Sequence, residues 1–227
     1  MVIYMKDLFV KKQGYLNIQN DIVDYLNGKK EYPFNYEYLR FIILDNKNDV
    51  ETFYEVFEDE LKDLVYVNIN PDNKVLIIYH NKERVLFEEY IDSISEDLGR
   101  KIKIFEGFKL STKEAYDLVY IIDLITTYHK TEYSYTSISE LIHKLVRVNP
   151  KELQRVKEIL FGEFLGDNQF ELIVEGMFKN NLNVSKTSSY IYMHRNTLNN
   201  KLALIEDATT LSLHTFKDAI AIYELLK

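Results

Sequence analysis

The chain has 227 residues, 46 % of them hydrophobic and 14 % aromatic, enough for one large domain or two small ones and too apolar for long disorder. Its net charge of −8, from 36 acidic and 28 basic residues, argues on its own against a nucleic-acid binder. With no cysteine there is no disulfide framework, thiolate metal site or cysteine nucleophile.

The opening stretch MVIYMKDLFVKK is broken by Lys6 and Asp7 and has no signal-peptide core. Apolar runs such as Leu118–Ile125, interrupted by Asp123, fall short of the roughly 18 residues a membrane span needs. A soluble cytoplasmic protein with no membrane partner is expected. Residues 1–35 read as an N-terminal extension with a short helix, Asn20–Asn27, that ends at Gly28 before Pro33 breaks the chain. Tyr36–Leu44 has strand composition. Asp49 is placed to cap a helix running to Leu61, with Val50, Phe53, Tyr54, Phe57 and Leu61 on its apolar face.

Leu64–Ile69 and Val75–Tyr79 then flank the turn residues Asn70–Lys74 and predict a β-hairpin. A helix over Arg84–Leu98 follows, with Phe87, Tyr90, Ile91, Ile94 and Leu98 inward and Gly99 at its C-terminal cap. Lys101–Phe105 alternates as a strand. Ser111 is placed to cap a further helix to about His129, burying Ala115, Leu118, Val119, Ile122 and Ile125. The order β-α-β-β-α-β-α implies an α/β sandwich over residues 36–130, in an α+β chain. That order is shared by nucleotide-cyclase-like domains of the GGDEF type, whose hairpin turn carries glycines and acids for phosphate and metal. Here the turn is NPDNK, with the single acid Asp72, and the seven glycines are scattered. Metal-assisted phosphoryl transfer needs clustered carboxylates, so no catalytic residue, metal ligand or cofactor is expected, and the domain reads as a degenerate scaffold.

Thr131–Thr136 reads as a connector. Ser137–Glu140 is a capping box opening a helix to about Val148, and Asn149-Pro150 starts the next, with Leu153, Val156, Ile159 and Leu160 inward. Asp167 caps a helix over Asn168–Asn180, with Phe170, Ile173, Val174 and Met177 inward. No strand pattern follows Ser137, so residues 137–227 are expected to be all-α.

Within that half, Gly176–Ile205 has no acid but holds Lys179, Lys186, Arg195, Lys201 and six asparagines. The rest of the chain then carries 24 of the 28 bases against all 36 acids, or −12, so the bulk charge belongs elsewhere. The stretch reads as two short helices, a helix-turn-helix over residues 185–205. Ser185 is placed to cap the first helix, Lys186–Tyr192, where the small Thr187 and Ser188 let a second helix cross closely. Met193-His194 makes the turn, with His194 as the next cap. In Arg195–Ile205, Leu198, Leu202 and Ile205 recur at helical spacing and face the core. Arg195, Asn196, Asn199 and Asn200 then project outward, with Lys201 beside them. Cations meet phosphates and amides meet base edges, Arg195 suiting guanine and Asn196 or Asn199 adenine. Lys186 and Lys201 suit phosphates. A final helix, Thr215–Leu226, is expected to close the core with Phe216, Ala219, Ile220 and Tyr223.

The segment LNVSKTSSYIYMHRNTLNNKLALIE resembles the C-terminal helix-turn-helix of PucR/CdaR-type bacterial transcriptional regulators. Their signature, Asn-x-x-x-Ala-Ala then His-Arg-Asn-Thr-Leu-x-Tyr-Arg-Leu, is matched by His194, Arg195, Asn196, Thr197, Leu198 and Leu202. Asn200 stands where the family has Tyr, Lys201 where it has Arg, and Thr187-Ser188 where it has Ala-Ala. In that family a degenerate GGDEF-like domain often precedes the helix-turn-helix. The resemblance implies DNA contacts at Ser185, Lys186, Thr187, His194, Arg195, Asn196, Thr197, Asn199, Asn200 and Lys201. A homodimer on duplex DNA is expected, because one recognition helix buries little surface and operators are usually twofold. The α/β domain would serve dimerisation or sense an unidentified small-molecule effector. The rival is a sensor or adaptor that uses the helical domain for protein contact and binds no DNA.

Overall fold

The computed structural model describes residues 15–69, 73–130 and 133–227, and the chain divides into two compact units between Ser137 and Ile138. In the first unit α1 (Tyr15–Leu26) begins upstream of the expected helix, buries Ile22, Tyr25 and Leu26, and is followed by Gly28 at φ +70°. Its Gln19 Nε2 donates to the carbonyl of Tyr66 at 3.1 Å, which ties the helix to the sheet. Residues 1–14 lie outside the described residues.

The sheet is built from β1 (Tyr38–Leu44), β2 (Val65–Ile69), β3 (Lys74–Tyr79), β4 (Ile104–Glu106), β5 (Leu110–Ser111) and β6 (Tyr135–Ser137), in the order β2-β3-β1-β4-β6, with β5 on the start of β1. Pairing is antiparallel except between β4 and β6. Every residue of β1 after Tyr38 is buried, which is why YLRFIIL reads as a near-continuous apolar run. Ile42, Leu44, Ile77 and Tyr79 share one core with Phe53 and Phe57 of α2 (Val50–Phe57) and with Phe87 and Ile91 of α3 (Phe87–Asp97). Phe41 and Ile43, on the alternate face of the strand, are equally buried. The hairpin β2–β3 forms as predicted, and its turn residues 70–72 lie outside the described residues.

Four expectations in this unit are corrected. Asp49 makes no capping bond; it is buried and takes the guanidinium of Arg100, while Asn46 caps the short 3-10 turn Lys47–Asp49. Tyr90 on α3 and Leu98 at its C-cap are 44 % and 41 % exposed, because the helix starts at Phe87 and its buried stripe is Phe87, Ile91 and Ser95. Ser111 lies in β5, and α4 (Ala115–Tyr128) begins later than the expected cap allows. The segment expected as a connector holds β6. Its YTS holds two strand-favouring residues but is too short to show a period; pairing Phe105 with Thr136 and the bond from Thr136 Oγ1 to the Ile104 carbonyl (3.0 Å) fix it as a strand.

One buried polar group organises the β4–β6 end. Glu106, fully buried, receives Arg84 Nε at 2.7 Å, Arg84 Nη2 at 2.8 Å and the Tyr135 hydroxyl at 2.5 Å. Arg84 Nη2 also donates to the Tyr135 oxygen at 2.9 Å. Burial, then the Glu106 charge, pushes the Tyr135 phenol far above its ordinary range, so it stays a donor.

The second unit is helical: α5 (Ile138–Val148), a 3-10 turn at Pro150–Glu152, α6 (Leu153–Phe161), α7 (Asn168–Lys179), α8 (Val184–Tyr190), α9 (Arg195–Thr209) and α10 (Phe216–Leu226). Leu141, Leu145, Val156, Phe161, Ile173 and Ile222 are among its buried residues. Asp167 caps α7 by accepting from Gln169 N at 2.8 Å, as predicted. Asn149 makes no capping bond, its amide donating to Glu152 instead. In α10 the expected inward stripe is corrected: Phe216 and Tyr223 are 75 % and 48 % exposed, and Ala219, Ala221, Ile222 and Leu225 are buried.

Candidate nucleic-acid interface

The site begins where α7 ends. Leu182 N bonds the Met177 carbonyl (2.7 Å) and Asn181 N the Phe178 carbonyl (3.2 Å), a Schellman closure with Asn181 and Leu182 at φ +53° and +60°. Asn183 then caps α8, its Oδ1 accepting from Lys186 N at 2.9 Å. Ser185 was the expected cap; it lies one residue inside the helix, and its carbonyl accepts from the hydroxyls of Ser188 and Ser189. The segment NVS offers two cap-competent residues, and the αL turn before it selects the first.

Gly176 sets how closely α7 and α8 approach. A Cβ there would lie 2.8 Å from Ile191 Cγ2 and 3.1 Å from Thr187 Cγ2. Thr187 Oγ1 donates to the Gly176 carbonyl at 3.2 Å, and Thr187 is fully buried. It therefore cannot reach DNA, and its place in the expected contact set is corrected. Its small size serves the close crossing that the sequence suggested, here against α7.

The turn into α9 closes in the same way. Met193 N bonds the Ser188 carbonyl at 2.9 Å and Tyr192 N the Ser189 carbonyl at 3.4 Å, with Tyr192 at φ +53°. His194 caps α9, its Nδ1 accepting from Asn196 N at 3.2 Å. Leu198, Leu202 and Ile205 are 0 %, 2 % and 3 % exposed, as their spacing predicted. Ser185, Lys186, His194, Arg195, Asn196, Thr197, Asn199 and Asn200 are exposed, and Lys201 is half-buried. α9 continues past Ile205 to Thr209, so Glu206 and Asp207 lie on the helix, but in its last turns; Glu206 accepts from Ser212 Oγ at 2.7 Å.

The first turns of both helices hold no acid, which leaves their positive N-terminal dipole ends unopposed. Lys179 is spoken for: it lies 2.6 Å from Glu175 and donates to the Tyr190 hydroxyl at 3.1 Å. Reading the residues alone overlooks Tyr192, which is 97 % exposed in the turn between α8 and α9. Tyr192 carries the αL backbone of the turn that closes α8.

Residues 173–227 match the model of the PucR C-terminal helix-turn-helix domain. This segment is similar to the helix-turn-helix of PucR-type proteins. It takes in most of α7 and all of α8, α9 and α10, and it supports a transcriptional regulator. Comparison with curated proteins gives no match. Among solved structures, the chain is similar to one described as a regulator of polyketide synthase expression from Bifidobacterium adolescentis, at 14 % identity over 95 % of this chain and 93 % of that one, with a TM-score of 0.45. No helix among the described residues is long and apolar enough to cross a membrane, and no group of three or more acids and histidines there could hold a metal.

Proposed function

We propose that the protein is a sequence-specific DNA-binding transcriptional regulator that lays the first two turns of α9 in the major groove. The observation that carries this is the division of α9: Leu198, Leu202 and Ile205 are buried while Arg195, Asn196, Asn199 and Asn200 stand exposed with no acid beside them in the first turn. Arg195 pairs with guanine, and Asn196 or Asn199 with adenine, because each presents two polar atoms at the spacing of a base edge. Ser185, Lys186, His194, Thr197 and Lys201 hold the flanking phosphates and set the register.

Tyr192 joins them. The αL turn that closes α8 holds its backbone in place, and its ring stands wholly in water beside the start of α9. Its hydroxyl bonds a phosphate at the lip of the groove. The active species is a cytoplasmic homodimer on a twofold operator, and the α/β unit, a degenerate GGDEF-type domain without catalysis, serves dimerisation or effector sensing. Fluorescence anisotropy on duplexes selected from a random library tests the reading: affinity falls steeply with salt and drops with Arg195→Ala or Asn196→Ala. Absence of any duplex binding at low salt, or binding unchanged by both substitutions, defeats it and favours the adaptor.

A further inference from the structure

At one end of the sheet in the α/β unit, a cavity of about 410 Å³ is walled by the start of β1, the loop after β3, the segment following α2 and the approach to β5. Four cations from these four places line it: Arg40, Lys62, Lys82 and Lys109. Glu37 is the one acid in the lining. This runs against the local balance, since residues 1–137 hold 17 basic and 25 acidic residues. The nearby Asp63 carboxylate is occupied by the Tyr36 hydroxyl at 2.6 Å.

The wall is built, not incidental. Arg40, 3 % exposed, donates through Nε and Nη2 to the carbonyls of Asn81 and Lys82, each at 3.3 Å, which fixes the loop that carries Lys82. Lys62 and Lys109 lie over the rings of Tyr36 and Tyr38, at 5.1 and 4.2 Å from their centroids. His80, 6 % exposed, has its Nε2 2.5 Å from the Tyr32 hydroxyl. Burial holds the ring neutral and keeps the Tyr32 phenol protonated. With Tyr32 donating to Nε2, Nδ1 carries the hydrogen and faces the Lys62–Asp63 backbone, which fixes the ring in the wall.

We propose that this cavity is a binding site for a small anion bearing a phosphate or carboxylate group, held by Lys62, Lys82 and Lys109 with Arg40 positioning the loop. Lysine ammonium groups suit such a ligand as point charges, and aromatic floors beneath two of them restrict where they can go. The proposal does not depend on DNA binding, and its test uses none.

Isothermal titration of the full chain with inorganic pyrophosphate and, separately, with citrate distinguishes the two ligand chemistries. One of them is expected to bind saturably at one site. Lys62→Glu/Lys82→Glu, both at exposed positions, weakens it by about tenfold or more, the scale of lost charge-assisted hydrogen bonds. Lys47→Glu/Lys130→Glu, the same charge change outside the cavity, leaves it unaltered. Binding of neither anion below about 10 mM, or equal weakening by both charge reversals, overturns the proposal.

Discussion

In the α/β unit the acids that shape the fold are buried and committed: Glu106 takes both arms of Arg84 and the Tyr135 hydroxyl, and Asp49 takes the half-exposed Arg100. In the helical unit the polar groups of α9 stand in water above a fully buried apolar stripe. A buried pair with fixed partners acts on stability, because losing one member strands the other in a low-dielectric site. An exposed amide or guanidinium contributes little to stability and is available to a ligand. Substitutions in the two places should therefore separate cleanly, the first moving stability and the second moving DNA affinity.

The largest effect is expected in the buried network. Arg84→Ala leaves the Glu106 carboxylate without its bidentate partner and should cost about 3–5 kcal/mol in urea unfolding. A loss no larger than that of a surface substitution would break the contrast. Arg195→Ala should leave unfolding unchanged and weaken specific duplex binding by about 1–3 kcal/mol, relaxing the preference at one base pair. Gly176→Ala links the two behaviours. The added methyl meets Ile191 Cγ2 at 2.8 Å, and overpacking of about 1–3 kcal/mol outweighs the roughly 1 kcal/mol gained in helix propensity. A lower melting temperature checks it, and a rise would show that α7 and α8 separate easily.

Tyr192→Gly should act in opposite directions on the two readouts. Relief of the αL penalty, about 1–2 kcal/mol, exceeds the added chain entropy of glycine and raises the melting temperature slightly, while loss of the ring weakens duplex binding. Equal DNA affinity in the variant would remove Tyr192 from the interface without touching the role of Arg195. The smallest effect is that of Lys186→Ala, which should lower affinity evenly across sequences and reduce the slope of log affinity against log salt by about one.

Much of the architecture was legible where periodicity was strong. The stripes Leu198/Leu202/Ile205 and Phe170/Ile173/Val174/Met177 are buried as their spacing required. The hairpin pairing of β2 and β3 followed from two apolar runs around turn residues. What escaped was set by tertiary context. β6 is three residues whose strand character comes from β4, and Asp49 abandons a cap for Arg100, 51 residues away in sequence. In α10, Phe216 and Tyr223 fit a helical stripe by number but lie outside the buried one, which small Ala219 and Ala221 help to fill. At the interface, the outward set on α9 could be read from its inward one. Thr187 was legible as a small residue at a close helix crossing, but not as one buried too deeply to face phosphate as well, since its burial comes from Gly176 on α7.

The most direct test is selection from a random duplex library by the full chain and by Arg195→Ala/Asn196→Ala, sequenced in parallel. The account predicts that the parent enriches one motif in two inverted half-sites and that the double variant, with unchanged unfolding, loses it. A parent that returns the input distribution, or a double variant that enriches the same motif equally well, would contradict it.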